Sequence, residues 1–315
     1  MSIHDLEAAL PDLHMLTVIA ETRSLTQAAR RLGIAKSSVS MRLKDLERAI
    51  AVPLVRRTTR SITLTAAGQQ LVDETAASFA HIERGLAGVR DLAGAPRGLV
   101  RVTAPVALGR QHIAPAIPAL LERYPELRLE LDLSDRLVNL TQEGFDLAVR
   151  HASRIPDSHV ATVLCESRSV LLASPKYLAR RGVPEHPSEL AAHECLLYLR
   201  DGGAPSWSFE RRARVPERLS VPVRGPLRAN NSEVLREAAA AGLGVGLLPD
   251  FTAWSGAESR ELVPVLPQWR PIGFFGERLQ AIRPWSPRTP RAVQCVIDHL
   301  RQTFARGFRA PQAPI

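Results

Sequence analysis

The sequence predicts an all-α N-terminal portion with a small β wing and a long helix, followed by an α/β portion built on a parallel sheet. Three observations lead there. Apolar residues recur at helical spacing through the first ninety positions. A Gly/Pro stretch, GAPRG at 94–98, interrupts that pattern. Beyond it, short runs rich in Val, Leu and Ile alternate with helical stretches, as in a parallel sheet with crossover helices. At 315 residues the chain is long enough for two or three compact units.

Leu13, Leu16 and Ala20 mark the buried stripe of a first helix. Ser24 and Gln27 have the spacing of a capping box ahead of Leu25, Ala28, Ala29 and Leu32, and Gly33 closes this second helix. Val39, Leu43, Leu46 and Ile50 then define a third, so two short helices flank a Gly turn as a helix-turn-helix. The run VRRTTRSITLT, basic and β-branched, reads as a two-stranded wing with Arg56, Arg57 and Arg60 near its tip. Thr65 caps a helix from about 66 to 92, whose narrow seam of Leu71, Phe79, Ile82, Leu86 and Val89 calls for a second chain to cover it.

After the boundary, LVRVTAP, RLELDLS and FDLAVRH read as strands, with a helix from about Gly109 to Tyr124 between the first two. VLLASP opens a second series that takes in CLLYL, the strand LSVPVRGPLRAN, the helix SEVLREAAAAG and the strand VGLLP. LVPVL and GERLQAI follow as strands, and AVQCVIDHLRQTF closes as an amphipathic helix.

Composition narrows the function classes. Hydrophobic residues make up 45% and charged residues 23%, a globular balance, and the acid-interrupted N-terminus reads as neither signal peptide nor membrane span, which predicts a cytoplasmic protein. The formal charge is +9, and between Arg23 and Arg60 ten Lys or Arg stand against two acids. Nearly the whole excess thus lies in one segment, as a footprint for phosphates requires. Cys165, Cys195 and Cys295 lie in apolar runs without metal-ligand spacing and read as core residues, a redox pair of Cys165 and Cys195 being the alternative. No nucleophile elbow, P-loop, HExxH or paired ligand motif is present and the nine His are scattered, so an enzyme is not expected, nor a cofactor or metal.

The stretch SLTQAARRLGIAKSSVSMRLKDLERAI followed by VPLVRRTTRSITLTAAG resembles the signature of LysR-type transcriptional regulators in order and spacing. The resemblance continues through RVTAPVALGRQHIAPAIPALLERYPELRLEL, GFDLAVR, LLASPKYLARRG and LRANNSEVLREAAAAGLGVGLLPDF, so it spans essentially the whole chain. It implies a winged helix-turn-helix at 1–63, a dimerisation linker helix at 64–94 and an effector domain at 95–315 with two lobes like a periplasmic binding protein. Lobe I would take about 95–168 and 268–304, and lobe II about 169–267. The implied partners are double-stranded promoter DNA, a small polar or anionic effector, a second or further copies in a homodimer or homotetramer, and RNA polymerase if the protein activates, with no membrane. Ala35 stands where the family usually has a capping Ser, Met41 and Arg42 replace a common Arg-Gln pair, and Val55 replaces a frequent Phe.

A recognition helix reads base edges from its N-terminal half while neighbouring groups hold phosphates. Lys36, Ser37, Ser38, Ser40 and Arg42 lie on or near the face away from Val39 and Leu43 and are the expected readers, with Arg56, Arg57 and Arg60 on the backbone. Thr26 and Gln27 are phosphate candidates, Gln27 being alternatively only a cap. For the effector, predicted strand ends and helix N-termini bring together Thr103, Ala104, Pro105, Val106, Ser134, Arg150, Asn230, Asn231, Ser232 and Gly246. Asn231 and Ser232 are equally well read as helix caps, and Arg150 as an ion-pair partner of Asp132 or Asp146.

Overall fold

The computed structural model describes residues 3–57, 62–90, 95–152, 155–199, 204–211, 217–253 and 261–308. By contacts the chain divides into one unit of Met1–Arg90 with Thr141–Gly144 and a second unit of the remainder.

In the first unit α1 (Ile3–Thr22), α2 (Leu25–Leu32) and α3 (Lys36–Ile50) precede the antiparallel strands β1 (Val55–Arg57) and β2 (Ile62–Leu64) and the long α4 (Ala66–Arg90). Ser24 Oγ accepts from Gln27 N at 3.4 Å, and Gly33 closes α2 in the left-handed region. Leu16, Ile19, Ala28, Val39 and Leu43 make the core, sealed by Val72 of α4. Ile50, expected in that stripe, is 41% exposed, because the helix end has turned past the core. The head of the linker seam also departs from expectation: Leu71 and Phe79 pack on this same core, with the Phe79 ring 5.1 Å from that of His14. Ile82 is exposed, and the side chains of Leu86 and Val89 lie outside the described residues. Gly68 is required where α4 meets the wing, since a Cβ there would stand 2.0 Å from the Leu54 carbonyl oxygen.

The second unit begins with β3 (Gly98–Ala104), α5 (Val106–Leu108), π and 3-10 turns over 109–116, α6 (Ile117–Arg123), β4 (Leu127–Leu133), β5 (Leu147–His151) and β6 (His159–Glu166). The single helix expected from Gly109 starts earlier and is broken, because Pro115 and Pro118 withhold two backbone N–H groups. Then come β7 (Ser169–Ala173), α7 (Pro175–Arg181), β8 (Cys195–Tyr198), β9 (Ser206–Arg211), β10 (Arg218–Pro222), β11 (Arg228–Ala229), α8 (Ser232–Ala240), β12 (Val245–Pro249), α9 (Asp250–Ala253), β13 (Val263–Pro264), β14 (Trp269–Ile272), β15 (Arg278–Pro284) and α10 (Arg291–Thr303).

Two five-stranded sheets form the lobes, ordered β4-β3-β5-β15-β6 and β11-β8-β12-β7-β13. Neither is wholly parallel as expected. β15 runs antiparallel to β5 and β6, and β7 antiparallel to β12, because each belongs to a segment crossing between lobes. A third, antiparallel sheet, β10-β9-β14, covers one face of the second lobe. The run LSVPVRGPLRAN is therefore two strands in two sheets, and the return to the first lobe follows Ile272 rather than 268. The first lobe packs Val100, Val102, Leu147 and Val149 against Val293, Ile297 and Leu300 of α10. In the second, alternate residues face opposite ways: Leu171 and Leu247 meet Trp207 and Phe209, while Leu172 and Leu248 meet Leu235 of α8. Phe251 of α9 lies in the first lobe's core, pinning one lobe to the other.

Candidate functional sites

In the first unit, the Gly33 turn presents the N-terminal half of α3 outward. Lys36 and Ser37 are exposed and Ser38 and Ser40 half-buried, while Val39 and Leu43 are fully covered. Ala35 makes no side-chain cap bond, so the first-turn N–H groups of α3 lack that satisfaction. Thr26 and Gln27 are exposed in the first turn of α2, where the Gln27 N–H is already taken by Ser24 Oγ. Arg42 is not presented in this way: it is half-buried, with Nε 2.6 Å from Asp12 Oδ1 of α1. The helix stagger brings it onto α1. Met41 and Lys44 share an exposed face with Ser37 at i, i+4 and i+7, a periodicity legible in the sequence but not used.

The charge excess is reduced by pairing. Arg31 bonds Glu21, Arg42 bonds Asp12 and Arg48 bonds Asp45. Arg23, Arg30, Lys36, Lys44 and Arg56 make no ion pair among the described residues. Arg56 is exposed on β1; the side chain of Arg57 and the whole of Arg60 lie outside the described residues. Glu47 of α3 fixes the wing, its Oε1 accepting from Leu54 N at 2.8 Å and Val55 N at 3.1 Å.

In the second unit, the parallel register of β3 with β4 and β5 brings Ala104, Ser134 and Arg150 to one sheet end. Ser134 N donates to Ala104 O at 2.9 Å. Arg150, nearly buried, reaches across β3 and donates from Nη2 to Ser134 O at 3.0 Å, with Thr103 Oγ1 at 3.5 Å. Neither carboxylate suggested by the sequence makes this contact: Asp132 is exposed, and Asp146 accepts from Arg101 N. Pro105 starts the short helix whose Val106 N donates to Asp135 Oδ1 at 3.2 Å.

Asp135 was not singled out from sequence, yet it joins the two lobes. Its Oδ2 accepts from Asn231 Nδ2 at 2.7 Å, while Asn231 Oδ1 caps α8 through Glu233 N and Val234 N. Asn231 thus both caps and bridges. Ser232 is turned inward onto Thr252, Oγ to Oγ1 2.8 Å, and Asn230 is exposed beside it. Gly246 falls away from this group: it is second in β12, between Leu172 and Leu196, whereas the carboxyl end of that strand is Pro249. Further bridges are Gln111 Nε2 to Glu233 Oε1 at 2.8 Å and His112 Nε2 with Phe251 O at 2.9 Å.

A second cross-lobe chain lies at the crossing strands. His151 Nε2 meets Ser167 Oγ at 2.7 Å, and Ser167 donates to Asp250 Oδ1 at 2.5 Å, while Arg168 N donates to Asp250 Oδ2. Burial lowers the His151 pKa to about 4 and raises that of Asp250, the latter opposed by its bonds from Ser167 and Arg168. Cys165 and Cys195 sit in the separate cores of the two lobes, and burial pushes both thiols up to about 12, which deprives a redox pair of its thiolate. Among the described residues no His/Cys/Asp/Glu group has the makings of a metal site, and no helix is long and apolar enough to cross a membrane.

Comparison with known proteins matches both units. Residues 10–69 fit the model of bacterial regulatory helix-turn-helix proteins of the lysR family, and residues 93–305 that of the LysR substrate binding domain. The chain is 34% identical over 308 residues to the HTH-type transcriptional regulator PtxR of Pseudomonas aeruginosa, covering 96% of each. It is 30% identical over 301 residues to the HTH-type transcriptional regulator DmlR of Escherichia coli, covering 95% of each. Among solved structures it is similar to the full-length Vibrio cholerae virulence activator AphB, with TM-score 0.58 and 25% identity over 92% of this chain and 98% of that one.

Proposed function

The chain belongs to the LysR family of transcriptional regulators, and from that premise we propose which residues bind DNA and which hold the effector. It is a DNA-binding regulator rather than an enzyme, with an N-terminal helix-turn-helix and a two-lobed effector domain of periplasmic-binding-protein type. The first 63 residues grip DNA, residues 64–94 link, and the remainder senses.

Lys36, Ser37, Ser38, Ser40 and Met41 face the major groove of promoter DNA, with Lys44 of the same exposed face on the adjoining phosphates. Thr26, Gln27, Arg56, Arg57 and Arg60 hold phosphates, and Arg42 orients α3 through Asp12. The carrying observation is the exposed cationic face of α3 opposite its buried Val39–Leu43 stripe. Lys44→Ala should weaken binding to the DNA flanking the chain's own coding sequence and flatten the log–log salt slope by about one. Arg42→Ala should leave that slope unchanged. Equal slopes for parent and Lys44→Ala refute the face assigned.

A small polar or anionic metabolite binds where Thr103–Val106, Ser134 and Arg150 face Asn230–Ser232, competing with the Asp135–Asn231 bridge and so changing the lobes' arrangement. Gly246 has no direct contact in this reading. Copies associate through the outer part of α4 as a homodimer or homotetramer in the cytoplasm, and RNA polymerase is the further partner if the protein activates. Thermal-shift titration with acetate, succinate, citrate and phosphate tests the effector class. Asn231→Ala should change the response, and an identical response in parent and variant refutes the cleft assignment.

A further inference from the structure

A cavity of about 510 Å³ lies where both crossing segments meet, lined by residues 165–169 on the way to the second lobe and 270–273 and 275–277 on the return. Asp250 and residues 305–308, after α10, complete its wall. It shares no lining residue with the cleft at Thr103–Val106, Ser134, Arg150 and Asn230–Ser232. Its size suits a small organic ligand.

The chemistry of the walls narrows that ligand. Phe275 and Phe308, both half-buried, give an aromatic surface, with Phe308 5.6 Å from Phe251. The acids around the cavity are engaged: Glu277 with Arg270 at 3.0 Å, Glu166 with Arg278 at 3.3 Å, and Asp250 with Ser167 and the Arg168 backbone. Arg168 and Arg306 are exposed and make no ion pair among the described residues, the Arg168 charge acting on Asp250 only at longer range. Two guanidinium groups beside an aromatic wall match a carboxylate carried on an apolar body.

We propose that this hinge cavity is a second ligand site, taking a small organic monocarboxylate with Arg168 and Arg306 on its charge and Phe275 and Phe308 on its body. A ligand there touches both crossing segments and the turn that carries Phe251 into the first lobe's core, so it favours one lobe arrangement over another. The site stands independently of the cleft assignment.

The test is calorimetric titration of the full chain with phenylacetate, using phenylacetamide as the uncharged counterpart. Saturable binding of phenylacetate is expected, weakened about tenfold or more for phenylacetamide and for the Arg168→Ala/Arg306→Ala double variant. Both arginines are on the surface, so the double variant should melt like the parent; Arg168→Gln/Arg306→Gln replaces it if it does not. Absence of saturable binding at millimolar phenylacetate, or undiminished affinity in the double variant, overturns the proposal.

Discussion

Acidification should selectively weaken the effector domain, and His151 should account for most of the loss. Its imidazole lies between Ser167 and the ring of Phe251, stacked at 5.5 Å, and burial holds its pKa at about 4 against 6.5 in the open chain. A histidine with a depressed folded pKa contributes stability that is present above the unfolded value and lost as pH falls toward the folded one. Between pH 7.5 and pH 4 the unfolded state takes up a proton that the native state resists, which costs about 3 kcal/mol. Set against a typical total of about 5–15 kcal/mol, that is a large fraction. His112 and His193, also lowered by burial, add slope of the same sign, and the raised Asp250 opposes it only at the acid end. The comparison is therefore between parent and His151→Gln, which retains a donor for Ser167. All four Trp fall between 207 and 285, so urea unfolding followed by Trp fluorescence reads this domain alone. His151→Gln should lose about 3 kcal/mol less than the parent across that window. Equal losses in the two would refute the assignment of the acid sensitivity to this side chain.

Three further outcomes follow from the DNA-binding unit. Ala51 ends α3 at φ 59, so Ala51→Gly should relieve left-handed strain and raise stability by about 0.5–1 kcal/mol, read as a shift in the denaturant midpoint. Glu47→Ala strands the buried N–H groups of Leu54 and Val55 and should cost about 1–3 kcal/mol by the same measurement. Ile82→Asp places charge on the exposed part of the linker seam and should lower the oligomer mass by light scattering with helicity retained; Phe79→Asp should instead unfold the unit, because Phe79 packs on its own core.

The helix-turn-helix and its Gly33 turn, the two-stranded wing, the change to an α/β pattern near residue 95 and the family were legible in the sequence. Each rests on local spacing: Val39 and Leu43 a turn apart, Ser24 ahead of its helix, β-branched runs beside it. The strand SWSFER was not expected, although Trp207 and Phe209 alternate inward along it, and nothing local says that it joins Trp269–Ile272 sixty residues on. Tertiary structure alone decided that Arg42 is held by Asp12, that Arg150 bonds the strand-end groups of Ser134 and Thr103, that Asp135 and Asn231 join the lobes, and that His151, Ser167 and Asp250 form one chain. The physical reason is separation along the chain. A helix face is set by residues three and four apart, whereas a buried polar group takes whichever partner the packing brings within about 3 Å, and for Asn231 that partner lies 96 residues away.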